Sequence, residues 1–348
     1  ASFLTVVGTN QTQEDLNYNG SSFTNNVSVN GSVNKFSYLA SFGNRFVDGL
    51  SAAKSDNPEK DEFSKYNTNI KLGYKISDAF NIIAFATYDK FKTDIDGFPA
   101  PTYTFADTPD KYASEQTRFG IAPRFDYENG SLQINAAFSK INRETISDFS
   151  TIHEGESIVV DAFNKYVFNE AFYTIVGVNY GNYNSLFSTE ESFTNTDPYL
   201  NVVYVSDFGF NLNAGGRLNN HSEYGSHLVY SLNPSFSTPV GNGYAKLFGS
   251  YATSFIAPNL SQLFGFFGAN PNLEPEENIT LEGGLEFNTK NGFRINGLYF
   301  NRKEENTIIY ISNYENATTN ATVHGFEVEA EYSVNKKLSI NTNYTFTE

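Results

Sequence analysis

The chain has 348 residues, contains no cysteine, methionine or tryptophan, and carries a formal net charge of −16. The acidic balance argues against nucleic-acid binding, which needs a basic surface, and the absence of cysteine excludes disulfide and thiol chemistry. Phe and Tyr make up 16% of the chain although its mean hydropathy is only −0.40. Many aromatic residues in a polar chain are typical of outer-membrane β-barrels, and no apolar run approaches the ~18 residues of a transmembrane helix.

Apolar and polar residues alternate in many segments along the chain. In "SLQINAAFSK", Leu132, Ile134 and Phe138 share one face while Gln133 and Asn135 share the other. The same pattern occurs in "NVSVNGSV", "FGFNLNAGG", "FEVEAEYSV" and "KLSINTNYTF". A period of two predicts β-strands with one apolar and one polar face, and no long segment has a helical period.

Short polar turns separate these segments. Asn-Gly and Asp-containing pairs in them supply the positive φ angles that tight hairpins need. Between the turns lie long polar stretches such as "RFVDGLSAAKSDNPEKDEFSK" and "DKFKTDIDGFPAPTYTFADTPDKYASE". We interpret the order as strand, tight turn, strand and long loop, repeated to give about 16 strands with all tight turns at one end. The predicted turns are residues 32–35, 75–80, 127–131, 168–172, 205–209, 239–243, 288–292 and 334–337.

These features predict an all-β fold, a transmembrane antiparallel β-barrel with short periplasmic turns and long extracellular loops. Closure of a barrel satisfies every backbone polar group, as a bilayer requires. The apolar faces then meet lipid and the polar faces line the lumen. We expect Tyr74, Phe80, Tyr127 and Phe300 in the aromatic girdles at the membrane interfaces. The alternative, a soluble β-solenoid, is disfavoured because the chain has no evident sequence repeat.

Residues 250–287, "SYATSFIAPNLSQLFGFFGANPNLEPEENITLEGGLEF", carry a specific motif. It resembles a late-barrel segment of TonB-dependent outer-membrane receptors. A second element of that family follows as Tyr-x-Asn and then His-Gly-x-Glu-x-Glu. The stretch "LSQLFGFFGANPNLEPE" and the Asp-rich loops are most similar to the vitamin B12 (cobalamin) receptor branch. The matching residues are Phe255, Ala257, Pro258, Leu260, Gln262, Leu263, Asn270, Pro271, Leu273, Pro275, Glu276, Glu282 and Gly283, and then Tyr314, Asn316, His324, Gly325, Glu327 and Glu329.

The resemblance implies a barrel of about 22 strands closed by an N-terminal plug that contacts TonB. On this basis we expect residues 1–348 to be a partial barrel of about 16–17 strands, with the plug and the last strands outside the chain. The implied function is active, TonB-dependent uptake of cobalamin or a related corrinoid across the bacterial outer membrane, without enzymatic activity. The implied partners are the lipid bilayer, TonB acting through the plug, a surface lipoprotein lid and the small-molecule ligand.

The loop inside the motif has two interpretations. In the structural one, Pro258, Pro271 and Pro275 fix turn geometry and Glu276 anchors the next strand. In the functional one, an exposed aromatic cluster forms an apolar lip for a large ligand. The residues of that lip are Phe264, Phe266 and Phe267.

Two Asp-rich loops are candidate calcium sites. The first contains Asp48, Asp56, Asp61 and Glu62, and the second contains Asp94, Asp96, Asp107 and Asp110. Calcium takes 6–8 oxygen ligands, and the resemblance to cobalamin receptors implies a Ca²⁺ site. The best matching positions are Asp48, Asp61, Asp96 and Asp107. Solvated acidic loops on an acidic protein are the alternative, and no cofactor for catalysis is expected.

Three other functions stay open at this point. The chain could be a TonB-dependent ferric-siderophore receptor, a passive porin, or an outer-membrane barrel enzyme. The enzyme is the least favoured, because His153, His221, His227 and His324 show no metal-ligand spacing and no Ser, His and Asp spacing supports a nucleophilic triad.

Overall fold

The computed structural model describes residues 1–10, 20–53, 55 and 60–348. Within these residues the chain forms nineteen β-strands and one short α-helix, so the predicted all-β class is confirmed. Seventeen of these strands are long and two have three residues each, close to the 16–17 strands predicted. None of the described helices is long and apolar enough to cross a membrane.

The elements have the following bounds in chain order. They are β1 (Ser2–Asn10), β2 (Gly20–Val33), β3 (Phe36–Val47), β4 (Phe63–Lys75), β5 (Phe80–Gly97), β6 (Ala106–Tyr127), β7 (Gly130–Ile146), β8 (Thr151–Asn169), β9 (Phe172–Leu186), β10 (Glu190–Val205), β11 (Phe210–His221), β12 (Gly225–Val240), β13 (Gly243–Ile256), α1 (Leu260–Phe264), β14 (Glu276–Thr289), β15 (Phe293–Glu305), β16 (Ile308–Tyr310), β17 (Tyr314–Asn316), β18 (Ala321–Asn335) and β19 (Leu338–Thr347).

The chain divides into two compact units. The first unit comprises Ala1–Asp126, Gln133–Asp161 and Gly181–Phe193. In it, strands β1 to β6 pair consecutively and antiparallel. The register fixes which side chains share a face: Ile70 lies opposite Ala86, and Ala86 lies opposite Phe119.

The second unit comprises Tyr127–Leu132, Ala162–Tyr180 and Thr194–Glu348. Here β10 to β15 pair consecutively and antiparallel, β15 then pairs with β18, and β18 pairs with β19. The two short strands β16 and β17 form a separate hairpin between β15 and β18. This hairpin belongs to the candidate site described below.

The predicted tight turns are confirmed. Each of the eight joins two consecutive strands, at β2–β3, β4–β5, β6–β7, β8–β9, β10–β11, β12–β13, β14–β15 and β18–β19. Positive φ angles occur where the sequence predicts them, as at Asn34 (53°) in the first turn and Gly292 (82°) in the seventh. Local turn chemistry therefore sets the register of each hairpin.

The prediction that all connections at the other end are long is wrong. Three of them are short: residues 147–150, 187–189 and 222–224. Much of the polar sequence assigned to loops is also strand, since β5 continues to Gly97 and β6 begins at Ala106. These parts of β5 and β6 have polar side chains on both faces, as expected for strands surrounded by water. The alternation of apolar and polar residues therefore ends before the strands do.

Large apolar side chains lie on the surface of the sheet and not in a core. Leu285 is 64% exposed, Leu247 59% and Leu281 56%. Among the described residues only Ala53, Leu260, Leu263 and Leu273 are buried hydrophobic residues. Soluble proteins rarely expose apolar patches of this extent, so this face requires a nonaqueous environment.

The apolar face forms a band that ends at charged residues. On β14 the band runs from Phe287 through Leu285 to Ile279, and Glu277 follows on the same face. At ~3.3 Å per residue and a tilt of about 40°, a stripe of this length covers roughly 20 Å, near the height of the apolar band in outer-membrane barrels. On β5 the corresponding stripe ends at Lys90, which is paired with Glu115 at 2.9 Å.

The aromatic girdle stays a prediction, and two of its residues lie at exposed strand ends. Tyr74 and Tyr127 are 49% and 36% exposed and stand beside tight turns. Phe300 is different, because it lies in the middle of β15 on the face opposite to Tyr299. A Cβ placed on Gly325 would be 2.7 Å from the Phe300 ring, so the ring packs over that glycine on the polar face. Its place in the girdle was therefore wrong.

Candidate functional site

The candidate site consists of three connections between strands of the second unit. They lie at the strand ends opposite to the tight turns. They are residues 222–224 between β11 and β12, residues 257–275 between β13 and β14, and residues 306–320 between β15 and β18. We call these three segments the loop cluster. The middle segment contains α1 and most of the family motif, and the last contains the β16–β17 hairpin.

The sequence fixes α1 by a capping box. The Asn259 side chain accepts a hydrogen bond from the Gln262 N–H at 2.9 Å, and the Gln262 side chain accepts one from the Asn259 N–H at 2.9 Å. This reciprocal pair satisfies two free donors at a helix start. Leu260 and Leu263 point inward and are buried, and Pro258 just before the cap is less than 2% exposed. The short helix is therefore held at both its cap and its inner face.

Asn270 joins the loop after α1 to the β16–β17 hairpin. Its backbone N–H donates to the Gln262 carbonyl at 2.8 Å, and its side chain donates to the Tyr314 carbonyl at 2.9 Å. The Tyr314 N–H in turn donates to the Gly268 carbonyl at 2.7 Å. Pro271 follows on the exposed side of this turn.

Asn316 makes a second connection between the same two segments. Its Oδ1 accepts from the Glu274 N–H at 2.8 Å, and its Nδ2 donates to the Glu274 carbonyl at 2.9 Å and to the Asn306 carbonyl at 2.7 Å. The Asn306 side chain donates to the Pro275 carbonyl at 3.4 Å. These bonds satisfy backbone N–H and C=O groups that are not hydrogen-bonded within the β-sheet.

Leu273 and Glu276 hold the end of the motif. Leu273 is 2% exposed, and its carbonyl accepts a hydrogen bond from the Tyr224 hydroxyl at 3.1 Å. Burial, together with the charge of Glu223, raises the pKa of Tyr224, so its hydroxyl stays a donor. The Glu276 carboxylate accepts from the Ile308 N–H at 2.7 Å.

An exposed apolar surface sits on this framework. Phe264, Phe266 and Phe267 are 38%, 47% and 61% exposed, and on the hairpin Tyr310 and Ile311 are 55% and 70% exposed. We call these five residues the aromatic patch. Only the three phenylalanines were predictable from the sequence, because "IIYIS" has the apolar character of an ordinary strand.

Gly268 allows the two halves of the patch to approach. Its φ is +64°, and a Cβ there would be 2.6 Å from the Tyr310 ring and 2.9 Å from the Asn313 Cα. Any other residue would push the hairpin away, because the Asn313 Cα is a backbone atom and cannot move aside as a side chain can. The Tyr310 and Tyr314 rings meet edge to face at 5.0 Å.

His227 lies near the start of β12. Its ring stacks on Phe255 with centroids 4.1 Å apart. One ring nitrogen is 3.2 Å from the Glu277 carboxylate and the other is 3.0 Å from the Tyr224 carbonyl. The ring therefore lies between two hydrogen-bond acceptors. Phe255 of the family motif thus has a packing role here.

A buried carboxylate, paired with a partly exposed arginine, connects the adjoining strands. Asp197 is 1% exposed and pairs with Arg217, and its other oxygen accepts from the Asn220 N–H at 3.0 Å. His221, at the end of β11, is 5% exposed. Burial lowers the pKa of His221, partly offset by Glu223 and Asp197. The sequence analysis missed this pair because its partners lie on different strands.

The proposed calcium ligands lie in the first unit, and the structure brings only some of them together. The Asp96 carboxylate accepts from the Ala53 N–H at 2.8 Å and from the Ser51 hydroxyl at 3.2 Å. The same hydroxyl lies 3.5 Å from Asp107. Asp96 therefore already holds residues 51–53 through hydrogen bonds.

The other proposed ligands are arranged differently. Asp48 pairs with Lys60 at 2.8 Å, although its second oxygen is buried without a hydrogen bond. Asp61 is half-buried near the start of β4, and Asp56 lies outside the described residues. Within the described ranges, no group of three or more acidic or histidine side chains is placed to hold a metal ion. Calcium binding by these aspartates stays a prediction.

A comparison with protein families decides the fold family. The family described as TonB dependent receptor-like, beta-barrel matches residues 3–348. The chain belongs to the TonB-dependent receptor β-barrel family. This confirms the family that the motif around Pro258 indicated, and it agrees with the exposed apolar band of the strands.

Solved structures of bacterial siderophore and ferric enterobactin receptors share this fold. The siderophore receptor PirA from Pseudomonas aeruginosa is 18% identical with a TM-score of 0.77, over 94% of this chain and 61% of that one. PirA from Acinetobacter baumannii is 14% identical with a TM-score of 0.81, over 98% and 61%. A mutant (Q482A) of the ferric enterobactin receptor PfeA from Pseudomonas aeruginosa, in complex with enterobactin, is 15% identical with a TM-score of 0.80, over 99% and 62%. The chain spans about three fifths of the length of these structures, and identity at this level shows the shared fold alone.

Proposed function

We propose that the chain is the β-barrel part of a receptor that actively takes up a small-molecule nutrient complex across the bacterial outer membrane. The observation that carries the proposal is the loop cluster, in which an exposed aromatic patch is held on a framework of buried leucines and side-chain hydrogen bonds. Such a preformed apolar surface binds a ligand without first having to order a loop.

The ligand we propose first is a ferric siderophore. The solved structures with this fold include two siderophore receptors named PirA and a ferric enterobactin receptor in complex with enterobactin. These support a ferric siderophore at least as well as the motif "LSQLFGFFGANPNLEPE" supports cobalamin. Cobalamin is therefore the second candidate, and the motif in residues 260–276 is what favours it.

The remaining partners follow from the family. Active uptake requires TonB, acting through a plug domain, and the lipid bilayer around the apolar band. A surface lipoprotein that covers the loops is a further proposal, and the exposed position of the aromatic patch is compatible with it. A passive porin is the alternative, and it differs in needing no energy from TonB.

Uptake by cells tests the proposal. A strain that expresses the protein should grow with a ferric siderophore as its only iron source, or with cobalamin as its only corrinoid. Growth should be lost when the gene for this protein or for TonB is deleted, and uptake of the labelled ligand should stop when the proton gradient is dissipated. Uptake that continues without TonB would support the porin and contradict active transport.

Calcium is a separate proposal for the first unit. We expect Ca²⁺ to reduce hydrogen exchange in residues 48–53 and 94–107 if the aspartates bind it. Asp96→Asn would remove this protection, whereas Asp78→Asn, in an exposed tight turn, would not. Equal exchange with Ca²⁺ and with a chelator would leave the hydrogen bonds of Asp96 as the only role of this cluster.

A further inference from the structure

The loop cluster has an unusual charge. Its three segments, residues 222–224, 257–275 and 306–320, contain no lysine or arginine. They contain three acidic residues, Glu223, Glu274 and Glu315. Glu223 and Glu274 are exposed, and in the part of the chain that the structure describes no salt bridge neutralises any of the three. The loop cluster that carries the aromatic patch therefore bears three acidic side chains and no lysine or arginine of its own.

The cations closest to the cluster along the chain are already paired. In β15, which leads into the hairpin, Arg302 pairs with Glu304 and Lys303 pairs with Glu305. In β11, Arg217 pairs with the buried Asp197. The described second unit therefore has no unpaired arginine or lysine at this end of those strands to compensate a negative ligand.

Hydrogen bonds between the loops also hold the backbone at Glu274 and next to Glu315. The Glu274 backbone is bound on both its N–H and its carbonyl by Asn316, which leaves the carboxylate exposed. Glu315 lies in the hairpin strand β17, between Tyr314 and Asn316, which both bond to the neighbouring loop. The backbone that carries the Glu274 and Glu315 carboxylates is thus held by the same hydrogen bonds that hold the aromatic patch.

Ferric chelates differ in charge by class. Three doubly deprotonated catecholates around one iron(III) leave a complex with three negative charges. Three singly deprotonated hydroxamates around the same ion leave a neutral complex. Like charges at close range disfavour association, and they do so most in a partly desolvated site. Apolar and aromatic contact, by contrast, is available to a neutral complex at no electrostatic cost.

We infer that the aromatic patch binds a ligand without net negative charge, with neutral ferric trihydroxamate complexes as the class, and that the loop cluster rejects anionic ferric tricatecholates. This inference rests on the proposed receptor function and specifies its ligand. The acidic residues act as the repulsive element that distinguishes the two classes.

The experiment compares binding of two probes to the purified protein at low salt. The probes are a neutral ferric trihydroxamate, and a ferric tricatecholate of similar size. We expect the neutral complex to bind at least tenfold more tightly, and the difference to shrink as salt is raised, because salt screens exposed charges. Phe267→Ser should lower the affinity for the neutral complex about tenfold by removing contact area from the patch.

Charge variants separate a local effect from the overall charge of the protein. Glu274→Lys should improve tricatecholate binding about three- to tenfold and leave the neutral complex unchanged. Glu128→Lys is the matched control, because it makes the same change in an exposed tight turn at the opposite end of the strands. We expect no change in either affinity from the control.

Several results would overturn the inference. They are tighter or equal binding of the tricatecholate, no binding of either probe, or an equal effect of Glu274→Lys and Glu128→Lys. TonB-dependent uptake of a ferric tricatecholate would overturn this inference and leave the proposed function standing. Absence of TonB-dependent uptake for any ligand would instead contradict the proposed function.

Discussion

The side-chain amide of Asn316 binds the backbone of Glu274 from both sides, with Oδ1 accepting its N–H at 2.8 Å and Nδ2 donating to its carbonyl at 2.9 Å. A third bond from Nδ2 reaches the Asn306 carbonyl at 2.7 Å. Together with the Asn270–Tyr314 and Asn306–Pro275 bonds, this amide joins the two loops that carry the aromatic patch, and the consequences of removing it are measurable.

Asn316→Ala should loosen the loop after α1. Each lost hydrogen bond is worth about 1 kcal/mol, and buried backbone groups left without a partner add to the cost, so we expect local stability to fall by about 2–3 kcal/mol. Hydrogen exchange at residues 270–276 should quicken by at least tenfold. Asn320→Ala is the control, because that exposed side chain makes only a 3.4 Å bond to Glu305. Unchanged exchange in Asn316→Ala would contradict the role given to this amide.

Leu273→Ala should disturb the same loop through packing. Leu273 is 2% exposed, and truncation of a buried leucine costs about 2–5 kcal/mol. We expect faster protease cleavage of residues 265–275 on intact cells, together with weaker ligand uptake. Ile256→Ala, at a position that is 49% exposed, should leave cleavage unchanged. Equal cleavage of the two variants would mean that the buried leucines do not hold the loop.

The strands and tight turns were predictable because their determinants are local. A period of two and an Asn-Gly or Asp-containing turn act over two to four residues, so the sequence of a hairpin suffices to place it. The ends of β5 and β6 were not predictable in this way, since Asp94 and Lys111 pair across the two strands at 3.2 Å and polar sequence alone resembles a loop.

The candidate site was predictable only in part, for a related reason. The motif placed Phe264, Phe266 and Phe267 on a loop, and the structure finds them exposed. Tyr310 and Ile311 reach the same region through a hairpin more than forty residues away, and the Asp197–Arg217 pair depends on the register of β10 and β11. Contacts of this kind need strand pairing to be known first.

Leu247→Arg tests the orientation of the sheet. Leu247 is 59% exposed on the apolar face, and a charge in the middle of the bilayer costs about 2–4 kcal/mol in a barrel. We expect less folded protein in the membrane and a lower denaturant midpoint. Lys246→Arg is the matched control on the neighbouring residue, which faces the other way and already carries a charge. Equal stability of the two variants would contradict a lipid-facing position for Leu247.

Because His221 is buried, we expect the local stability of the adjoining segment, residues 220–224, to depend on pH. Burial lowers the pKa of His221 below the ordinary value of about 6.5. As pH falls below about 6.5, an opened loop takes up a proton that the closed loop does not, so local stability falls with decreasing pH until the lowered pKa is passed.

Hydrogen exchange of residues 220–224 between pH 7.5 and pH 5 measures this effect. Exchange, corrected for its intrinsic pH dependence, should reveal a less protected segment at the lower pH. His221→Asn should remove most of the change, since its oxygen can still accept from the Glu223 N–H, as the His221 ring does at 3.1 Å. A variant with the same pH dependence as the natural protein would assign the effect to another group.

The paired extension of β5 and β6 offers a position for labelling living cells. Both strands continue beyond the Lys90–Glu115 pair as far as Gly97 and Ala106, which carries residues 98–105 about 20 Å along the strands past the charged edge of the apolar band. An epitope tag or a fluorophore-accepting cysteine in that tip would stand clear of the lipid headgroups, within reach of antibodies and impermeant dyes. Since these 348 residues contain no cysteine, a cysteine substituted there would be the single thiol within them that an impermeant dye can label.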